Sequence, residues 1–368
     1  QWPWTQIIPT EEGMCVGKSV LQLEAGKIYP LQLTAVAKYK EKDLQLRLSW
    51  ITPSMRKRNL EDAVQLAAKS NKTVLFLWKL SGNGVDRFDF KGKHGEDLLP
   101  ATLPLDQQEL LQKVAAAVHQ NGHQLVCVVN CVTGMVLGDI EKEADAILYM
   151  FLPGECGGQA TADLLTGRAN PSGRSSGVFP LHNEDTCISD TPEHMAERLI
   201  GLGVEPAKVT YSEGIFTSYR WNDYTGIKPL YPFGYGLSYT DFAYSNMHVQ
   251  PAGDGFDVTV DVTNTGAVVG DEVVQLYLGK AEKVPEDVQM AEKQLCGFER
   301  LEGIQPGETR TAFMHVRGRS LCVWNPGLPL IEREDGTRDK WQRLNGVRTI
   351  YVAKNAAEMI LEEKIEVC

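Results

Sequence analysis

The sequence predicts a chain of mixed class, in which an α/β layer is followed by an all-β sandwich and preceded by the end of another β-sandwich. Three changes in hydrophobic pattern support this prediction. Apolar and polar residues alternate in residues 1–54, as they do in antiparallel strands. Residues 55–239 alternate short apolar runs with amphipathic helical stretches, and residues 240–368 return to alternating strands. The chain therefore divides into three regions.

The first region has an antiparallel β pattern. Its core reads SVLQLEAGKIYPLQLTAVAKYKEKDLQLRLSW, with turns at glycine and at charged residues. A complete β-sandwich needs far more strands than fit before Trp50. We therefore expect only the closing strands of a sandwich here.

The second region predicts a largely parallel sheet with helices on both faces. We expect Asn59 to cap a helix through LEDAVQLAAKS, and TVLFLW at 73–78 to form a strand buried on both faces. A helix is expected at 106–120 and is followed by the apolar strand LVCVVN. A strand at 144–152 and a short helix at 159–165 continue the alternation. Sheets of this kind bind ligands at the carboxyl ends of their strands.

The third region is all β. Strands are expected in five stretches, at 257–263, 272–278, 294–298, 309–316 and 348–353. Their number and alternation are typical of a sandwich of about seven short strands.

Composition narrows the classes of ligand. The net charge of the 368 residues is −11, with acidic and basic residues interspersed, which argues against a nucleic acid and against an anionic membrane surface. No apolar run reaches transmembrane length. Gln1 is neither a start methionine nor the beginning of a signal peptide, so we expect the gene product to begin upstream. The compartment stays open between secreted and cytoplasmic.

The eight cysteines match no zinc or redox spacing. Cys127 lies in an apolar strand pattern, where a buried thiol behaves as a small hydrophobic residue. We expect neither a metal nor a cofactor.

Three glycine-rich motifs stand out in the second region. Residues 153–158 read PGECGG, residues 162–174 read ADLLTGRANPSGR, and residues 211–239 read YSEGIFTSYRWNDYTGIKPLYPFGYGLSY. The glycine pair permits a sharp turn into a helix, and NPSG predicts a tight turn. The third motif leads directly into an alternating strand, as expected for a packed hinge between the α/β layer and the sandwich. We predict mainly structural roles for all three.

In this order the motifs resemble glycoside hydrolase family 3, and the resemblance extends over nearly the whole chain. It implies that residues 240–368 are a fibronectin type III-like supporting module and that residues 55–239 are the C-terminal part of the family's second, α/β domain. The phrase LEAGKIYPLQLTAVAKY is similar to the protective-antigen-type sandwich inserted in some members, which implies that residues 1–54 are the end of such an insertion. The α/β domain would then be incomplete, because the insertion interrupts it.

The resemblance also implies β-glucosidase-like hydrolysis by two carboxyl groups, a nucleophile and an acid/base. The family's nucleophile is an aspartate on a (β/α)8 barrel, and this chain has no eight-fold strand and helix repeat. We therefore expect a second polypeptide to supply the barrel and the rest of the α/β domain. The two chains would form a tight heterodimer, produced either by proteolytic nicking or by a split gene.

In the family, the acid/base glutamate lies in the loop after the strand that corresponds to TVLFLW at 73–78. In this chain the loop reads WKLSGNGVDRFDFKGKHGEDLLPATLP. Asp86 and Arg87 align the loop with the family pattern and place Asn83 at the acid/base position. An amide cannot donate and retrieve a proton at useful pKa values. Glu96 is our candidate for a displaced acid/base, in a segment that also carries His94 and Asp97. The competing interpretation is a solvated charged loop without a catalytic role.

Three functions remain open at this point. The first is half of a glycoside hydrolase that cleaves terminal β-linked sugars. In the second, the scaffold is diverted or inactive, because Asn83 replaces the glutamate, and acts on a non-sugar substrate. In the third, the chain is a non-catalytic carbohydrate-binding or assembly subunit.

Overall fold

The computed structural model describes most of the second and third regions and little of the first. The described residues are 22–30, 52–78, 103, 107–131, 135–182, 185–187, 213–333 and 336–368, with two short paired strands, β1 (Ile8–Pro9) and β2 (Cys15–Val16). Most strands expected in residues 1–54 lie outside this part of the chain. The candidate site residues Asn83, Asp86, Arg87 and Glu96 also lie outside it.

The α/β domain contains a parallel sheet, as its sequence pattern predicts. Its described elements are α1 (Pro53–Ala68), β3 (Lys72–Trp78), α2 (Gln107–Gln120), β4 (Gln124–Asn130), α3 (Gly138–Glu143), β5 (Ala146–Tyr149), α4 (Gly157–Leu165) and α5 (Tyr219–Thr225). The strands pair parallel in the order β3-β4-β5.

Helix α1 begins earlier than the sequence pattern suggests. Thr52 is its N-cap, since Thr52 Oγ1 accepts a hydrogen bond from the Met55 amide at 3.2 Å, and Pro53 occupies the first turn. The prediction that Asn59 caps the helix is wrong, because Asn59 lies inside it. The Thr-Pro pair offers both a side-chain acceptor and a φ already suited to a helix, so the helix nucleates there.

Packing differs between the two faces of strand β3. On one face Leu77, with Leu125 and Val129 of β4, is fully buried in a cluster shared with α2. Each such leucine contributes about 2 kcal/mol by leaving water. On the other face, Val74, Phe76 and Trp78 are 41%, 55% and 42% exposed. The sheet is therefore covered on one face at β3, whereas the sequence pattern favoured burial of this strand on both.

The third region forms the expected β-sandwich. Its main strands are β6 (Phe242–Ala252), β7 (Gly255–Asn264), β8 (Gly270–Gly279), β9 (Lys293–Ile304) and β10 (Thr309–Val316), followed later in the chain by β15 (Gly346–Asn355) and β16 (Glu358–Val367). One antiparallel sheet has the order β10-β7-β6 and the other has the order β16-β15-β8-β9. Val260, Leu276 and Val352 are fully buried between the sheets.

Small elements close one end of the sandwich. They are a 3-10 helix (Gly318–Leu321) and the short strands β11 (Cys322–Trp324), β12 (Ile331–Glu332), β13 (Arg338–Asp339) and β14 (Trp341–Arg343). Strand β11 pairs with β14, and β12 pairs with β13. The Arg319 guanidinium lies 3.7 Å from the centroid of the Trp341 ring, which holds the 3-10 helix against β14.

The cap of α1 makes a direct test of this local structure. Replacing Thr52 by Ala removes the side-chain acceptor, and we expect the free energy of unfolding to fall by about 1 kcal/mol in urea denaturation followed by circular dichroism. Asn59→Ala is the matched control and should change the free energy of unfolding by less than about 0.5 kcal/mol. A larger loss for the Asn59 variant than for the Thr52 variant would contradict the assignment.

Candidate functional site

The carboxyl ends of the three parallel strands meet at one edge of the sheet. Trp78 lies opposite Asn130 in the pairing of β3 with β4, and Val129 lies opposite Tyr149 in the pairing of β4 with β5. The Met150 amide donates a hydrogen bond to the Val129 carbonyl at 2.8 Å, which extends this pairing by one residue. In parallel α/β sheets this edge is the place where ligands bind.

Gln107 fixes the end of strand β3. Its Oε1 accepts a hydrogen bond from the Trp78 amide at 2.8 Å, and its Nε2 donates to the Trp78 carbonyl at 2.7 Å. The side chain of Gln107, the first residue of α2, thereby supplies the two hydrogen bonds that a neighbouring strand would otherwise make to the backbone of Trp78. This contact fixes the end of β3, which precedes Asn83 and Glu96 in the sequence. The amphipathic pattern of α2 gives no sign of it.

The PGECGG segment follows β5 and turns sharply at the same edge. Gly154 has a φ of +68°, and a Cβ on Gly157 would lie only 2.7 Å from Pro153 Cβ, so glycine is required at both positions. Thr161 Oγ1 donates to the Gly157 carbonyl at 2.7 Å inside α4. Glu155 is exposed at this turn. The predicted turn into a helix is therefore present.

Phe151 has a strained backbone at this edge. Its φ is +52°, a left-handed conformation that costs a bulky residue about 1–2 kcal/mol relative to glycine. Its ring meets the Tyr149 ring edge to face, with centroids 4.7 Å apart. No feature of the sequence pattern marked this residue.

An aromatic chain connects the edge of the sheet to the hinge. The Tyr149 ring contacts Phe179 at 4.8 Å, Phe179 contacts Tyr231 at 6.2 Å, and Tyr231 stacks on Tyr235 at 4.9 Å. Burial raises the pKa of the Tyr149 phenol above its ordinary value. These contacts explain why the hinge needs so many aromatic residues.

The NPSGR turn lies at the junction with the sandwich. Asn170 Oδ1 accepts hydrogen bonds from Ser238 Oγ at 3.0 Å and from the Tyr239 amide at 2.8 Å, and Asn170 Nδ2 donates to the Val269 carbonyl at 3.0 Å. One side chain thus connects the second and third sequence motifs to the sandwich. The predicted structural role of NPSGR is what the contacts show.

A buried carboxylate lies at the centre of this junction. Glu272 is 2% exposed, and its two oxygens accept hydrogen bonds from Arg174 Nη2 and from the Tyr244 hydroxyl, each at 2.6 Å. Burial raises the pKa of Glu272 above its ordinary value, because the loss of water outweighs the favourable charge of Arg174. The pair therefore determines how the two domains meet while adding little net stability of its own.

Hydrogen bonds of two further side chains connect the hinge, residues 211–239, to the sandwich. Gln275 Nε2 donates to the carbonyls of Gly234 at 3.0 Å and Lys354 at 2.7 Å. On helix α5, Asp223 accepts a charge-assisted hydrogen bond from Lys293 Nζ at 2.6 Å. The hinge is thus held from both ends rather than left flexible.

The residues that the sequence predicts for the site are not the residues whose contacts the structure describes. Asn83, Asp86, Arg87 and Glu96 lie outside the described residues, so their roles stay predictions. The residues that sequence reasoning missed are those whose partners are distant in sequence, such as Gln107 and Glu272.

The described residues contain neither a metal-binding cluster nor a membrane-spanning helix. Within those ranges, no cluster of His, Cys, Asp and Glu side chains is arranged to hold a metal ion. In the same part of the chain, no helix is long and apolar enough to span a membrane.

The fold and the edge define a two-domain class of protein, in which a parallel α/β layer with a glycine-rich loop at its carboxyl edge is fastened to an antiparallel sandwich. Residues 16–239 match the glycosyl hydrolase family 3 C-terminal domain, and residues 272–356 match the fibronectin type III-like domain. The chain therefore belongs to glycosyl hydrolase family 3 and contains its C-terminal and fibronectin type III-like domains.

The chain is similar to parts of longer proteins. It is 33% identical to β-glucosidase B of Emericella nidulans over 85% of this chain and 37% of that protein. It is 31% identical to thermostable β-glucosidase B of Acetivibrio thermocellus over 84% of this chain and 36% of that protein. The chain thus spans little more than a third of the length of these relatives.

Solved structures give the same picture. DesR, a β-glucosidase from Streptomyces venezuelae in complex with D-glucose, has a TM-score of 0.70 at 30% identity over 87% of this chain and 36% of that chain. β-Glucosidase 3B from Thermotoga neapolitana in complex with α-D-glucose has a TM-score of 0.70 at 28% identity over 84% and 39%, respectively.

The buried ion pair at the junction predicts a pH-dependent variant. Arg174→Met leaves Glu272 buried without its cation, and we expect a loss of about 3–5 kcal/mol in the free energy of unfolding near neutral pH. Because burial already raises the pKa of Glu272, the folded variant takes up a proton more readily than the unfolded chain. The loss should therefore shrink as the pH falls from about 8 to about 5.

The matched control is Arg338→Met, which breaks an exposed ion pair with Glu332. It should cost less than about 1 kcal/mol at either pH. Denaturation midpoints across this pH range make the comparison, and a pH-independent loss for Arg174→Met would contradict the assignment.

Proposed function

We propose that this chain is the C-terminal part of a β-glucosidase-like hydrolase that cleaves terminal β-linked sugars. One observation carries the proposal, namely that a family 3 α/β layer presents its carboxyl edge, with the PGECGG turn, fastened to a fibronectin type III-like sandwich. The relatives whose names are given above are β-glucosidases, and two of the similar structures were solved with glucose.

The proposed reaction needs two carboxyl groups on opposite sides of the glycosidic bond. The nucleophile belongs to a (β/α)8 barrel on a second polypeptide, which also supplies the rest of the α/β domain. The residues that support this division are Val74, Phe76 and Trp78, whose apolar side chains are exposed on one face of β3. A partner that covers them would remove apolar surface from water and so favour association.

The acid/base is the second requirement, and we assign it to Glu96. Asn83 stands where the family has a glutamate and can serve only as a hydrogen-bond partner. Asp86 and Arg87 belong to the same substrate loop. That loop leaves the sheet at Trp78, whose backbone Gln107 holds in place.

The acid/base assignment is tested on the assembled enzyme. We expect Glu96→Gln to lower kcat/KM for an aryl β-glucoside by about 10²–10⁴ and to remove the alkaline limb of the pH–rate profile. Asp97→Asn tests the neighbouring carboxylate, and Glu332→Gln, an exposed residue of the sandwich, is the control. Full activity of Glu96→Gln would overturn the assignment.

The wild-type protein distinguishes the remaining functions in the same assay. Release of nitrophenol from aryl β-glycosides supports the hydrolase. Binding of sugars without turnover would favour a carbohydrate-binding subunit. Absence of both would favour a scaffold diverted to a non-sugar substrate, as the amide at Asn83 would allow.

The partner is tested by expressing the chain with and without a barrel-bearing polypeptide. We expect the chain alone to associate or aggregate through the exposed face of β3, and the pair to elute as one heterodimer in gel filtration. Substitution of Phe76 by Lys should weaken the heterodimer. Phe313→Lys on the sandwich is the matched control, because both phenylalanines are 55% exposed, and it should leave the heterodimer intact. A cooperatively melting monomer of the chain alone would refute the proposal.

A further inference from the structure

The strained conformation of Phe151 needs an explanation. A φ of +52° suits glycine, and the turn that follows contains glycine at position 154 for that reason. A large aromatic side chain at such a position is uncommon, and strained residues of this kind concentrate at binding sites, where the surrounding structure holds them in place. The strain therefore favours contact between the Phe151 side chain and a ligand.

The ring is held on one side and remains accessible to solvent. It meets Tyr149 edge to face at 4.7 Å, and Tyr149 in turn packs against Phe179 at 4.8 Å. Phe151 itself is 37% exposed and is absent from the buried cluster between the sheet and α2. Packing of the described core thus gives no reason for a phenylalanine here.

The position of the ring points to substrate. Phe151 comes directly after the last paired residues of β5, at the carboxyl edge, and Leu152 beside it is 64% exposed. Aromatic faces bind the apolar faces of sugar rings and aryl groups, with a preference for defined ring geometry. A ring that is fixed by Tyr149 pays little conformational entropy when it does so.

We infer that Phe151 contacts the leaving group of the substrate, an inference that rests on the proposed function. The contact would give the enzyme a preference for aryl and other extended apolar aglycones. The strained backbone holds the ring at the edge of the sheet, packed against Tyr149 on one side and 37% exposed to solvent. Phe151 is thus a specificity residue, which binds the part of the substrate that does not react. The chemistry at the glycosidic bond is left to the carboxyl groups.

The test compares two substrates that share a sugar, para-nitrophenyl β-glucoside and methyl β-glucoside, with the enzyme assembled with its barrel. Phe151→Gly removes the ring and relieves the strain, so folding should be preserved or improved. We expect KM for the aryl substrate to rise about three- to ten-fold with kcat little changed, and KM for the methyl substrate to stay the same.

Two further variants complete the experiment. Phe151→Trp keeps an aromatic ring and should retain the aryl preference. Phe313→Ala removes a phenylalanine that is more exposed than Phe151, on the distant strand β10, and should change neither KM. An unchanged ratio of the two KM values in Phe151→Gly would overturn the inference. Dissociation of that variant from the barrel in gel filtration would also overturn it, because the ring would then be an interdomain contact.

Failure of the inference about Phe151 can be distinguished from failure of the proposed hydrolysis. If the wild-type enzyme turns over neither substrate, the proposed hydrolysis fails, and calorimetric binding of both glucosides then decides the role of Phe151. Weaker binding of only the aryl compound by Phe151→Gly would support the inference, and equal binding by both proteins would overturn it.

Discussion

The arrangement of the two domains depends on one buried carboxylate. Glu272 projects from the sandwich and accepts hydrogen bonds from Arg174 and Tyr244, with 2% of its surface in water. A carboxylate in that setting is costly unless both oxygens are satisfied, so the NPSGR turn can occupy only one position against the sandwich. The contact acts through geometry rather than through net attraction, as the raised pKa of Glu272 indicates.

That constraint extends to the candidate site through a short path. The turn that carries Arg174 follows helix α4, and α4 begins at the PGECGG turn on the carboxyl edge of the sheet. The aromatic contacts from Tyr149 to Tyr235 run from the same edge to the hinge. The sandwich, whose valine and leucine core is fully buried, is thus a rigid support for an edge built from loops.

The edge itself combines rigid and strained elements. Gln107 holds the end of β3 with two hydrogen bonds, while Phe151 has a left-handed backbone beside glycines that adopt such a turn without strain. Rigid strand ends with an irregular, partly exposed loop are the usual construction of sites on α/β sheets.

Local sequence patterns determined which elements form. Alternation in β7 and the apolar run of β4 are strong signals because each depends on neighbours along the chain, and the glycine-rich motifs identified the family by their order. Even there the cap of α1 was misplaced, since Thr52 and Pro53 together outcompete Asn59. Only the tertiary structure decided the partners of Glu272, the contact between Gln107 and Trp78, and the exposure of Phe151. Those features join residues far apart in sequence or depend on a single φ angle, and no periodicity records either.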